Sequence, residues 1–245
     1  MPSPRAATLL TAGLALSVAA PARPSPAPAE TAATPVVTIV RVKKPWYAPR
    51  SAVVRKMRET IPQYQSIPGL AYKIYSLTAD GRYGGLYLWT DRASAEAWFS
   101  PEWFVRVQRE RKTPGEVRFF DAPIVLDNTP GGTPANASST AVASLVLLPV
   151  PAGASREKMI QNFEAAVPTY RKVPGLLRKA FVLDGAGRFG GVDLWVSRVD
   201  AERHYSRAWH DEARQRYGQD AEIEWFDAPI LAPSTLATNR VALAE

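Results

Sequence analysis

Phe120-Asp121-Ala122-Pro123-Ile124 returns later in the chain as Phe226-Asp227-Ala228-Pro229-Ile230, a shift of 106 positions (226 − 120). The same shift carries Pro68-Gly69-Leu70 onto Pro174-Gly175-Leu176, Gly84-Gly85 onto Gly190-Gly191 and Leu88-Trp89 onto Leu194-Trp195, with no gap in between. It also superposes Tyr64 on Tyr170, Lys73 on Lys179, Arg82 on Arg188 and Trp103 on Trp209. Such a period is too long for a solenoid repeat and right for a small domain, so the chain is one domain copied once.

Within one copy, the β-branched run Val36 to Val42, matched by Val142 to Leu148, predicts a buried strand. From Pro49 to Ser66 the apolar residues Val53, Val54, Met57 and Ile61 fall at helical spacing. Pro68-Gly69 breaks that helix, Leu70 to Leu77 reads as a strand, and Asp80-Gly81 turns the chain into a returning strand, Gly85 to Thr90. Asp91 and Ser197 stand where a helix N-cap is wanted, opening a second helix over Ala93 to Lys112 with a kink at Pro101. Val117 to Phe120 closes the copy, and Asp121-Ala122-Pro123 is expected to end that strand. The order β-α-β-β-α-β is the ferredoxin-like arrangement. Its sheet has one uncovered face, which the second copy can cover, giving an α+β pseudo-dimer within one chain.

The expected organisation is residues 1–22 as an export signal, 23–35 as an Ala/Pro/Thr-rich tether and 36–127 as the first copy. A Pro/Gly-rich linker over 128–140, the second copy over 141–232 and a flexible tail over 233–245 complete it. Arg5, the apolar stretch from Ala6 to Ala20 and the small residues Ala20-Pro21-Ala22 carry the signal reading, which implies a periplasmic or secreted protein. After that segment no apolar run is long enough for a transmembrane anchor.

The chain has no cysteine, which excludes disulfides and thiolate chemistry, and only 2 histidines, which argues against a multi-histidine metal site. The formal charge of +7 is uneven. Residues 35–128 carry 15 basic and 9 acidic side chains (15 − 9 = +6), whereas 141–234 carry 12 of each. A basic first copy suits an anionic ligand, a nucleic acid or an anionic lipid surface, the plainer alternative being a solvated helix face, and the interleaved aromatic and basic pattern of a nucleic-acid module is missing.

Pro-Gly-Leu before a strand, a hairpin ending in Gly-Gly-x-x-Leu-Trp, a helix opening with Arg92 and Ala95-Glu96, and the final Phe-Asp-Ala-Pro-Ile together resemble the YdhR-like monooxygenases. These are similar in turn to the antibiotic-biosynthesis monooxygenases of the dimeric α+β barrel superfamily. The resemblance implies that the fused pair replaces a homodimer and leaves open further pairing of two chains through sheet edges. It implies oxygenation of a small aromatic or polyketide-like molecule without a cofactor.

Cofactor-independent oxygenation needs an aromatic-lined pocket and a polar group that stabilises the substrate anion. The recurring residues supply both types. Lys73 and Lys179 are candidates to stabilise a phenolate or enolate, and Asp121 and Asp227 to exchange protons. Tyr64, Tyr170, Trp89, Trp195, Trp103 and Trp209 are candidates for substrate contact. Lys73 pairing with Asp121 as a structural salt bridge is the plainer alternative. Gly84-Gly85 lacks the spacing of a phosphate loop and reads as a bulge or a close backbone approach.

The copies differ at Trp98/His204, Phe104/His210, Tyr87/Asp193 and Arg106/Glu212. His204 and His210 are too far around a helix to share a metal ion, but either could serve as a single axial haem ligand. The alternatives to an oxygenase are therefore a haem-binding barrel protein and a non-catalytic protein that binds a small hydrophobic or anionic molecule.

Overall fold

The computed structural model of the chain describes residues 33–44, 47–129, 140–236 and 241–244. The expected signal segment, most of the tether, linker residues 130–139 and tail residues 237–240 and 245 lie outside the described residues.

The first half runs β1 (Val36–Lys43), α1 (Arg50–Glu59), α2 (Ile61–Gln65), β2 (Leu70–Leu77), β3 (Arg82–Trp89), α3 (Arg92–Trp98), α4 (Pro101–Arg111) and β4 (Glu116–Asp127). The second runs β5 (Val142–Pro149), α5 (Arg156–Tyr170), β6 (Leu176–Leu183), β7 (Arg188–Trp195), α6 (Arg198–His204), α7 (Arg207–Tyr217) and β8 (Glu222–Pro233). Both halves have the expected β-α-β-β-α-β order.

Two helices differ from expectation. The single helix expected over 49–66 breaks at Thr60, whose hydroxyl donates to the Met57 carbonyl at 2.8 Å. Such a back-bond loosens a helix, and Pro62 just beyond cannot repair it. The counterpart of Thr60 is Ala166, the best helix former, and α5 there runs unbroken through Pro168. The helix expected over 93–112 is interrupted at the expected place, but by a full break at Phe99 and Ser100 rather than a kink, with Pro101 opening α4. The Asp91 carboxylate accepts from the Ser94 amide at 2.7 Å and the Ser197 hydroxyl from the Asp200 amide at 3.2 Å, so both N-caps form.

The larger correction concerns the final strands. Asp121-Ala122-Pro123 does not end β4, which continues to Asp127, and β8 is equally long. The first part of β4 pairs with β1 and its second part with β6, with a register shift between Asp121 and Ile124. The shift lets Pro123, which has no amide hydrogen, pass without leaving a ladder donor unmet. β8 does the same between β5 and β2. The sheets therefore join edge to edge into a closed barrel, β1-β3-β2-β8-β5-β7-β6-β4.

Alternation along each strand sends Val37, Ile39, Leu86, Phe120, Leu145 and Phe226 into the lumen, none more than 2% exposed. The lumen is a packed core. The outward faces lie beneath the helices, and there any site must form. No helix among the described residues is long and apolar enough to cross a membrane.

Candidate functional site

Lys73 on β2 and Lys179 on β6 point outward, under the helices, and both are buried. Glycine makes room for them. A Cβ on Gly190 would lie 1.8 Å from the Val146 carbonyl oxygen, and one on Gly84 2.0 Å from that of Val40, so the first glycine of each pair permits the close strand approach. A Cβ on Gly191 would lie 2.2 Å from Lys179 Nζ. The second glycine thus leaves the space that the ammonium fills.

In the second half α5 and α7 stand off the sheet, leaving a cleft of about 760 Å³ lined by Met159, Phe163, Tyr170, Phe181, Phe189 and Trp209, among others. Lys179 forms part of its floor. Its Nζ donates to Asp193 Oδ1 at 2.9 Å, and the Tyr205 hydroxyl donates to Asp193 Oδ2. The Asp193 side chain has no solvent exposure. Nζ also lies 4.3 Å from the Tyr170 ring centre and 4.9 Å from that of Phe181. Burial alone would lower the Lys179 pKa, but Asp193 and the Tyr170 oxygen outweigh it and hold the amine above its ordinary value. Burial, reinforced by Asp193, pushes Tyr205 well up, so its phenol keeps the proton it donates.

The first half differs at the decisive position. Tyr87 stands where the second half has Asp193, and Lys73 Nζ lies over the rings of Tyr64, Tyr75 and Tyr87 at 3.3, 4.0 and 4.8 Å from their centres. Among the described residues no carboxylate is within ion-pairing distance of it. Burial pushes this lysine well below the usual range. The unfolded chain therefore binds more protons than the folded one between the depressed value and the ordinary lysine value, and stability rises with pH across that window. Relative to Lys73→Met, the wild-type urea midpoint is expected to climb between about pH 7 and pH 9. A parallel pair of profiles would show that the amine stays charged in its tyrosine cage.

The other candidates separate. Tyr170 and Trp209 line the cleft. Tyr64 covers Lys73, and Trp103 packs edge-on against Phe99. Trp89 and Trp195 are wholly buried, their Nε1 atoms donating to Thr38 Oγ1 at 2.9 Å and Ser144 Oγ at 3.1 Å. Asp121 accepts from Arg92 at 3.1 Å and Arg156 at 2.8 Å, and Asp227 from Arg50 at 2.6 Å. The alternative of a Lys73–Asp121 pair does not form, because β3 and β1 stand between β2 and β4 in the barrel and Asp121 is held by Arg92 and Arg156.

His204 packs against Trp195 and Tyr205, with ring centres 5.3 and 4.8 Å apart. Burial, then Lys179, lowers its pKa. His210 lies 3.4 Å from Asp220. Neither histidine lines the cleft, so the chain's histidines do not fit an axial haem ligand there. Sequence reasoning missed Asp193 and Tyr205 as site residues. The signal for Asp193 was its own contrast with Tyr87, an acid among the apolar and glycine residues from Phe189 to Trp195.

A closed eight-stranded barrel made by two ferredoxin-like halves, with a lysine beneath the helices of each, defines a fused dimeric α+β barrel protein. Among solved structures the chain is similar to a proposed monooxygenase from Fusobacterium nucleatum subsp. nucleatum, at TM-score 0.59 and 10% identity, covering 82% of this chain and 95% of that one. A proposed monooxygenase from Lactobacillus acidophilus matches at TM-score 0.55 and 13% identity, over 82% and 96% of the two chains. An anthrone oxidase-like protein matches at TM-score 0.53 and 12% identity, over 86% and 97%. The chain thus has the fold of these monooxygenase-like proteins. No family model and no curated protein sequence matches it.

Proposed function

We propose that this chain is a cofactor-independent oxygenase of a small aromatic or polyketide-like enol or phenol, with its working site in the second half. The observation that carries this reading is the Lys179 ammonium on the floor of an aromatic-lined cleft, anchored by a carboxylate that keeps it charged. A cation fixed in apolar surroundings stabilises a substrate oxyanion more than water does. The substrate gives its acidic proton to solvent in the cleft, the anion is electron-rich at carbon, dioxygen adds there to form a C–O bond, and the peroxide anion takes a proton back from solvent. The resulting hydroperoxide loses water to leave a carbonyl. The balance is a ring methylene and one dioxygen in, a ketone and one water out, with one oxygen atom going to each product. Lys179 holds the oxyanion, while Tyr170, Phe181 and Trp209 supply ring faces. Asp121 and Asp227, engaged by arginines, take no part in this scheme.

The test is oxygen uptake with a panel of anthrones and polycyclic phenols. Wild type is expected to consume oxygen, and Lys179→Met to lose about 10²–10³-fold in kcat, the usual effect of removing one oxyanion-stabilising group. Lys73→Met is expected to keep the activity. Tight binding of the panel without oxygen uptake would replace the oxygenase with the binding-protein reading, which the same cleft also supports.

A further inference from the structure

The lumen is apolar in its middle and charged at both ends. At one end Arg41 on β1 and Arg118 on β4 meet Glu224 on β8, with Arg118 Nη1 3.9 Å from Glu224 Oε2 and Arg41 in direct contact with the same oxygen. At the other end Arg178 on β6 donates to Asp127 on β4 at 2.8 Å, and its guanidinium lies 4.7 Å from the ring centre of Tyr72 on β2.

These partners are each other's counterparts. Arg118 and Glu224 are one repeat apart (224 − 118 = 106), and so are Tyr72 and Arg178 (178 − 72 = 106). Two residues that a two-fold operation exchanges can touch only beside its axis. Both contacts therefore lie on the pseudo-two-fold axis of the barrel, at opposite ends of the lumen. On such an axis a symmetric dimer brings identical residues together. Two first halves would set Arg118 against Arg118 with an Arg41 on each side, the carboxylate across the ladder from Arg41, Glu116, being already held by Arg82 at 2.5 Å. Two second halves would set Glu224 against Glu224 and Arg178 against Arg178, with Pro233 where Asp127 now accepts. Off the axis the pattern is different: Arg50–Asp227 and Arg156–Asp121 are copies of one pair, present in both halves and indifferent to which half is opposite.

We propose that the two lumen faces have diverged into a complementary pair, so that a first half docks a second half and rejects its own kind. The partner this surface fits is the other half of the same sequence, and the selecting elements are the axial residues rather than the symmetric rim pairs. The rejection is electrostatic, since like charges facing each other in a partly desolvated lumen cost far more than at the surface. This selection is independent of whatever chemistry the cleft performs.

The full chain carries the test. Glu224→Arg reproduces the first half's axial residue on both sides, and Arg118→Glu reproduces the second's. Glu224→Arg is expected to lower the melting temperature by about 8 °C or more, and the exchange R118E/E224R to return it to within about 3 °C of wild type. Glu224→Gln, which removes the charge at the same shape, is expected to fall between wild type and Glu224→Arg. If Glu224→Arg does not fold, recovery of a folded chain in the exchanged protein, read by near-ultraviolet circular dichroism, supports the proposal in its place. An exchanged protein as damaged as the two single variants combined would overturn it. Equal losses in Glu224→Gln and Glu224→Arg would overturn it as well.

Discussion

Asp193→Leu is expected to destabilise the protein by about 3–5 kcal/mol, the cost of stranding one charge of a buried pair. The substitution removes the carboxylate that accepts from both the Lys179 ammonium and the Tyr205 hydroxyl, two groups that are almost wholly buried. For a chain of this size that loss corresponds to a fall of roughly 10 °C in melting temperature. Adding Lys179→Met to Asp193→Leu is expected to recover most of it, because two apolar side chains need no partners. The pair's stabilisation has a defined pH range: with the Lys179 value raised on folding, it is full below the ordinary lysine value and is lost as pH rises through the higher one. That slope is opposite to the one expected of Lys73, although the two lysines occupy equivalent positions. A harmless Asp193→Leu would mean that the lysine finds another acceptor, and the charged floor of the cleft would no longer follow.

The second large effect is expected at Gly190. An added methyl group would sit 1.8 Å from the backbone oxygen of Val146, and neither backbone can yield without breaking the β5–β7 ladder. Gly190→Ala is expected to cost more than about 4 kcal/mol, in the range reserved for specific structural failures, or to prevent folding. Gly187→Ala makes a fair control. It has φ of 87° but open space around the new methyl, so its cost is only the backbone strain, about 1 kcal/mol. Chemical denaturation of the two variants side by side checks the difference. Equal losses would show that strand proximity is not what requires glycine at 190.

Much of this fold can be read from the repeat alone. Strand and helix order, both N-caps and the close backbone approach at Gly84 and Gly190 all follow from local patterns, which the two copies state independently. The long final strands were not legible, since Ala122-Pro123 has the composition of a strand end and only the neighbouring half supplies the partner that carries β4 onward to Asp127. The site was half legible. Lys73 and Lys179 are charged residues in apolar strands and announce themselves, whereas Trp89 and Trp195 look like ring platforms until their indoles are found bonded in the core. The acids were harder, because repetition favours what both halves share. Asp193 works only in one half, so it appears as a mismatch between the copies, and a lysine's partner on the next strand depends on a register that composition does not encode. Tyr205, opposite Phe99 in the first copy, is a change of one oxygen atom and carries no sequence signal until that oxygen is seen to face Asp193.

The pairing of β8 with β2 sets a timetable for synthesis. Tyr72 finds its ladder partner in Pro233 and Ile74 in Leu231, so β2 keeps an open edge until nearly the whole chain has been made. The far part of β4 waits in the same way for β6. A growing chain that has completed its first half is a sheet with two unsatisfied borders and a bare apolar face. It is then a ready target for chaperones and for neighbouring nascent chains, and a ribosome stalled before β8 would release a product that cannot close.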